Sequence, residues 1–155
     1  MTDGSQAVHK VTASHETGHC ISRQFYKSIV AGRARSGFES LVLVARGAVK
    51  SDSKQLNKNL VLSRDARCYS RPELRIHTDD VSAAHGSATG ELGPAELLYL
   101  RSRGISKDQA RFMMIEGFAA EIVDELSYAP LRDRLRELVR VTIMSLRGDE
   151  GDEAI

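Results

Sequence analysis

The chain contains no tryptophan, and Phe and Tyr make up only 5% of its 155 residues. Single-stranded nucleic acid is bound on successive aromatic platforms, so that class of partner is poorly served. An excess of one charge is missing as well. The 22 Lys and Arg are balanced by 21 Asp and Glu, a formal net charge of +1, which builds no field for a polyanion or an anionic membrane. Two cysteines, Cys20 and Cys68, make no disulfide framework, and a reducing cytoplasm is the expected setting. No apolar run nears the ~20 residues that span a bilayer, and the opening MTDGSQ lacks the basic and apolar regions of a signal peptide. No G-x-x-x-x-G-K-[ST] run occurs, so the chain has no phosphate loop. What is present is 41% apolar residues, enough for one packed domain with at most a small appendage.

The first ninety residues read as short strands joined by polar turns. Ala7 to Thr12 alternates apolar with polar, and Leu41-Val42-Leu43-Val44 is a β-rich run closed by Arg46-Gly47. Leu60 to Leu62 and Leu74 to Ile76 are two further runs, with Ser63, Asp65, Pro72 and Gly86 as punctuation. Cys20 to Arg35 fits either a helical stripe or a pair of strands. Gln55, Asn57 and Asn59 alternate with Leu56, Lys58 and Leu60, which suggests amide ladders along stacked coils. Strand centres near Leu43, Leu62 and Leu74 recur at unequal steps, so a β-solenoid, a sandwich and a small barrel all remain open on pattern alone.

His15-Glu16-Thr17-Gly18-His19 matches H-E-x-x-H, the zinc-hydrolase pattern. That chemistry needs both imidazoles on one helical face with the Glu as general base, and a third ligand. A strand-like segment precedes the motif, Thr17 and Gly18 weaken a helix, and Glu39, an acid at a possible distance, abuts an apolar strand. The alternative is that His15 and His19 lie on a turn between strands.

From Gly93 the pattern turns helical. Pro94 suits a first helical position, and Leu97, Leu98 and Leu100 are expected to face inward, with Gly104 as the stop. Ser106 and Gln109 form a capping box ahead of a second helix bearing Phe112, Ile115, Phe118, Ala119, Ile122 and Leu126 on one face. A third helix opens at Pro130, with Leu131, Leu135, Leu138, Val139, Thr142 and Met144 toward one side and Arg132, Arg134, Arg136 and Arg140 on the other, a solvated face. An acidic, mobile tail is expected to follow.

Three runs carry a family likeness: KSDSKQLNKNLVLS (Lys50 to Ser63), RPELRIHTDDVSAAHGSATGEL (Arg71 to Leu92) and YLRSRGIS (Tyr99 to Ser106). With HCISRQFYKSIVAGRARSGFES (His19 to Ser40) upstream, they resemble the C-terminal half of the SufD/SufB family, scaffold subunits of the SUF iron–sulfur cluster assembly system. K-S-D-x-x-Q-x-N-x-N-L and D-D-V-x-x-x-H-G are its specific motifs. The resemblance implies a mainly β fold with α: a right-handed parallel β-helix over residues 1–92, a C-terminal helical domain over 93–147 and an acidic tail over 148–155. It also implies that HETGH has no proteolytic role.

Further implications follow from the same likeness. His85 matches the histidine that SufD-type members place at their interface with SufB, where a nascent cluster is held, and neutral imidazole is a competent iron ligand. The other reading makes His85 a turn residue beside Gly86. The cysteine of SufB-type members falls near Ala66 and their glutamate at Gly86, so the chain is SufD-like. Cys68 is a weaker second candidate, since a free Cys is commonly a small buried apolar group. The helices imply docking of a SufC-like ABC ATPase through a region including Tyr99, Arg101, Arg103, Phe112 and Phe118. The expected protein is a non-catalytic scaffold with no tightly bound cofactor, carrying an iron–sulfur cluster transiently. The chain starts near the middle of the family's length, and the exposed end of a solenoid invites pairing with a SufB-like paralogue or a second copy. Two other function classes stay open: a zinc hydrolase using His15, Glu16 and His19, and a structural solenoid module without cluster chemistry.

Overall fold

The computed structural model of the chain describes residues 4–145. Six strands come first: β1 (Gln6–His15), β2 (Ile21–Val30), β3 (Arg35–Val44), β4 (Ser51–Val61), β5 (Arg67–Ile76) and β6 (Val81–Gly90). Three helices follow: α1 (Pro94–Ser102), α2 (Lys107–Val123) and α3 (Ala129–Ser145). The odd strands form one parallel sheet in the order β1–β3–β5, and the even strands a second, β2–β4–β6. At each corner the chain crosses to the other sheet and returns one strand further on, the winding of a β-helix-like stack. Gln6 pairs with Arg35 and Arg35 with Arg67, while Ile21 pairs with Asp52 and Ser51 with Val81. The repeat escapes the eye in the sequence because the corners at 16–20, 31–34, 45–50, 62–66 and 77–80 differ in length. Leu62 lies in a corner and not at a strand centre. Backbone bonds continue around the corners, as from Ala45 N–H to His15 C=O at 3.0 Å and from His77 N–H to Val44 C=O at 3.0 Å.

Alternation along each strand sends every second side chain between the sheets. On β3 these are Ser36, Phe38, Ser40, Val42 and Val44; on β4 they are Ser51, Ser53, Gln55, Asn57 and Asn59, all buried. Much of this interior is therefore polar, and it is stable only when its groups bond one another. Ser40 donates to Gln55 Oε1 at 2.6 Å, and Gln55 Nε2 donates to Gln24 Oε1 at 2.7 Å. Asn59 Nδ2 donates to Thr89 Oγ1 at 3.1 Å, and Ser22 donates to Ser53 at 2.9 Å. Of the expected amide ladder on β4, Gln55 bonds an amide on the neighbouring coil and Asn59 a hydroxyl. Small apolar clusters close the corners: Val30, Ala34 and Ala66 at one edge, and Val42, Val44 and Ala48 at the other.

The helices cover the outer face of the second sheet. Leu60 points outward from β4 and packs with Ile115, Ala119 and Ile143, joined by Ile29, Phe112, Phe118 and Val139. Beside this core the neighbouring lysines Lys27 and Lys58, register partners on β2 and β4, both bond the Glu121 carboxylate, Lys58 at 2.7 Å. Lys27 is only 4% exposed in its side chain; it also donates to Phe118 C=O and lies 4.1 Å from the centre of the Phe118 ring. Two like charges side by side on a sheet repel, and the shared carboxylate removes that cost.

Helix ends follow the sequence. Pro94 opens α1, Gly104 follows its C-cap at φ +84°, and Ser106 Oγ accepts from Gln109 N–H at 3.3 Å. The inward faces of two helices differ from expectation. On α1, Leu97 and Leu100 are half-buried, but Leu98 is 66% exposed, because a nine-residue helix packing chiefly on α2 covers a narrow stripe. On α3, Ile143 is the buried residue with Val139 against it, while Leu131, Leu138 and Met144 are exposed. The helix is rotated so that its junction with α2 and β4 takes the Val139–Ile143 stripe. The expected tail at 148–155 lies outside the described residues. Among the described residues no helix is long and apolar enough to cross a membrane.

Candidate functional site

Strands β5 and β6 are the last of their sheets, each paired on one side only. Their inward rows, Cys68 to Ile76 and Val81 to Thr89, make the face of the final coil. His85 lies in the middle of β6 and not on a turn, so the turn reading beside Gly86 does not hold. Its Cα partner is Gln55, whose partner is Gln24, so the imidazole stands at the next place in an amide column. His85 is exposed, free to meet something beyond the coil. Gly86 turns to the outer face, where a Cβ would approach Leu56 Cδ1 at 3.2 Å; a side chain there is crowded.

Cys68 does not join it. Ser40 reaches Gln55 across the coil, and Ser36 reaches Ser28, the register partner of Asn59. One strand further along, His85 therefore faces Pro72, whereas Cys68 faces Thr89. Four residues of strand, ~13 Å, separate His85 from Thr89. Two donors on one metal ion lie within roughly twice a ~2.0–2.3 Å bond length of each other, so His85 and Cys68 cannot share an ion. Cys68 packs, half-buried, against Val30, Ala34 and Ala66, and burial pushes its thiol up, away from the thiolate that binds metal. Its surroundings are those of a small apolar side chain.

The HETGH segment forms no helix. His15 ends β1, 3% exposed, with Nε2 at 2.9 Å from Ser22 Oγ inside the coil. Residues 16–20 form the corner, where His19 takes a left-handed φ of 63°. The zinc-hydrolase reading is therefore corrected: strand pairing overrides the motif and sends His15 and His19 to different places. Among the described residues no three His, Cys, Asp or Glu side chains group as a metal site.

The five helical candidates split into two groups. Tyr99, 59% exposed, and Arg101 and Arg103 lie on the outside of α1, with the Arg103 guanidinium 5.2 Å from the Tyr99 ring centre. Phe112 and Phe118 pack, half-buried, into the junction with the strands. Lys27, Lys58 and Glu121, which hold that junction, gave no signal in the sequence because the residues are far apart along the chain. The outer face of the first sheet carries another charged row, where Glu39 bonds Lys10 at 3.2 Å and accepts from Tyr69 at 3.0 Å; these partners hold its carboxyl below the usual range.

Residues 1–118 match the family model described as "SUF system FeS cluster assembly, SufBD core domain". The chain belongs to the SufBD core family. It is 38% identical over 121 residues to the iron–sulfur cluster assembly protein SufD of Escherichia coli, covering 78% of this chain and 29% of that protein. It is 40% identical over 138 residues to an iron–sulfur cluster assembly SufBD family protein of Synechocystis, covering 86% and 30%. SufD of Bacillus subtilis is 37% identical over 113 residues, covering 73% and 25%. The chain thus spans less than a third of the length of these SufBD relatives. The SufBD match takes in all six strands, α1 and most of α2, and so includes His85 and the amide column beneath it.

Proposed function

We propose that this chain works in iron–sulfur cluster assembly as a SufD-like, non-catalytic scaffold in the cytoplasm, with His85 as one ligand to a cluster that is cargo. The observation that carries this reading is the position of His85: exposed on the inward row of a one-sided strand and in register with the column of half-buried Gln24 and buried Gln55. A neutral imidazole on a rigid strand is a good iron donor. One histidine does not hold a cluster, so the remaining ligands come from a partner that pairs with the free edges of β5 and β6, a SufB-like paralogue or a second copy. A SufC-like ABC ATPase docks on the helices, a reading supported by the exposure of Leu98 and Tyr99 on α1.

Anaerobic reconstitution with iron and sulfide in the presence of the SufB-like partner tests the cluster role. His85→Ala is expected to lower cluster absorbance several-fold while leaving complex formation intact. Equal uptake by both proteins overturns the ligand assignment, and negligible uptake by both leaves a structural module that binds partners only. For the ATPase, Leu98→Asp with Tyr99→Ala is preferable to removing the helices, because the helices cover Leu60 of the strand core. Unchanged co-purification of the ATPase with that variant contradicts the docking site.

A further inference from the structure

One layer of the interior does not bond internally. Asn57 is 1% exposed, and neither its Nδ2 nor its Oδ1 has a protein partner. Its neighbours on the same face of β4 are both satisfied, Gln55 by Ser40 and Gln24, and Asn59 by Thr89. The strand is therefore in register, and the unpaired amide belongs to this layer alone. In the same layer the Tyr26 and Phe38 rings pack at 4.7 Å across the interior, and Tyr26 is the register partner of Asn57 on the neighbouring strand. The register partner of Phe38 on the final coil is Ser70, whose buried Oγ also lacks a partner. Asn57 on β4 and Ser70 on β5 thus stand, one coil further on, in the places of Tyr26 and Phe38, diagonally across the interior, with Ser87, the exposed register partner of Asn57 on β6, at the open side of the layer.

We propose that Asn57 and Ser70 together bind an internal water between the last two coils. The amide offers two donors and an acceptor and the hydroxyl one donor and two acceptors, the set that holds a bridging water. Buried polar atoms in folded proteins are paired almost without exception, and where protein partners are missing an ordered water supplies them. The side chains around the two groups, Phe38, Ser70, Tyr26, Asn57 and Ser87, include no carboxylate, ammonium or guanidinium to balance an ion, and His9, the remaining member of the layer, lies on β1 two strands from Ser70, so the occupant is neutral. The site lies one inward position along β6 from His85 and does not depend on cluster binding.

Magnetic relaxation dispersion of water nuclei on the full chain tests this, since it counts internal waters held longer than the protein tumbles. The wild type is expected to hold one more such water than Asn57→Leu. Urea unfolding of Asn57→Leu, Ser70→Ala and the double variant should show coupling: the combined change in the unfolding constant departs from the product of the single changes by about threefold or more. Additive effects overturn the shared site. Coupling without loss of a long-lived water also overturns it, because it signals a direct bond between the two side chains. Should Asn57→Leu fail to fold, a high-resolution crystal structure of the wild type decides: density within hydrogen-bond distance of both Asn57 and Ser70 supports the site, and its absence overturns it.

Discussion

Gln55 and His85 are register partners on neighbouring parallel strands, although thirty residues of chain, a corner, a strand and another corner, separate them. Each comes from one of the two runs that carry the family resemblance, and the fold stacks one run on the other. The amide of Gln55 is held on both sides, by Ser40 and by Gln24. His85 therefore stands on a side chain that has little freedom to move.

Breaking that column should be costly. Gln55→Ala leaves the Ser40 hydroxyl and the Gln24 carbonyl unpaired and opens a small void, a loss of roughly 2–4 kcal/mol. Lys54→Ala, on the exposed face of the same strand, should stay within about 0.5 kcal/mol of wild type. Urea unfolding measures both, and similar small losses would show that the column is not a stabilising network.

Acid should loosen the helical junction. Lys27 first, and then Lys58, hold the Glu121 carboxyl below its ordinary value of 4.5 by hydrogen bonding. Because the folded value is depressed, its contribution to stability is complete above the ordinary carboxylate range and is lost as pH falls through the lowered folded value. The stability gap between wild type and Glu121→Gln should be greatest near neutral pH, shrink on acidification below about 4.5 and narrow in high salt. A gap independent of pH would mean that the lysines do not depend on the charge of Glu121.

The outer face of the first sheet has its own close fit. A Cβ on Gly37 would overlap the Tyr69 ring, which lies over that glycine and donates to Glu39. Gly37→Ala should destabilise by about 1–3 kcal/mol through overpacking. The same change in a Tyr69→Ala background should cost much less, and full additivity in thermal or urea unfolding would contradict the contact.

The corner at His19 invites the opposite result. His19 sits at φ 63° while its N–H bonds Val49 C=O at 2.9 Å. Glycine adopts that φ without strain and keeps the N–H, so His19→Gly should leave stability unchanged or raise it by up to about 1 kcal/mol, whereas His19→Val should lower it by about 1–2 kcal/mol. A large loss on His19→Gly would assign the imidazole a role that the corner does not explain.

Much of this architecture could be read from the chain. The alternation of Gln55, Asn57 and Asn59 with Leu56, Lys58 and Leu60 identifies an amide-lined strand, because side-chain direction along a strand depends only on the parity of position. Pro94, Gly104 and Ser106 mark helix ends, because their φ angles and capping groups act locally. HETGH misleads as a motif for a related reason: five residues specify a helix weakly, and the pairing of β1 with β3 outweighs them.

Parity tells which way a side chain points but not which coil lies above it. That depends on corners of unequal length, whose sum sets the register across some thirty residues. Only the folded chain therefore decided that His85 stands over Gln55, that Cys68 lies beyond its reach, and that Lys27 is buried against Glu121. The sequence by itself determined the repertoire of strands, turns and caps, since those arise from interactions within a few residues. The tertiary structure decided which groups meet, since that follows from how the coils stack.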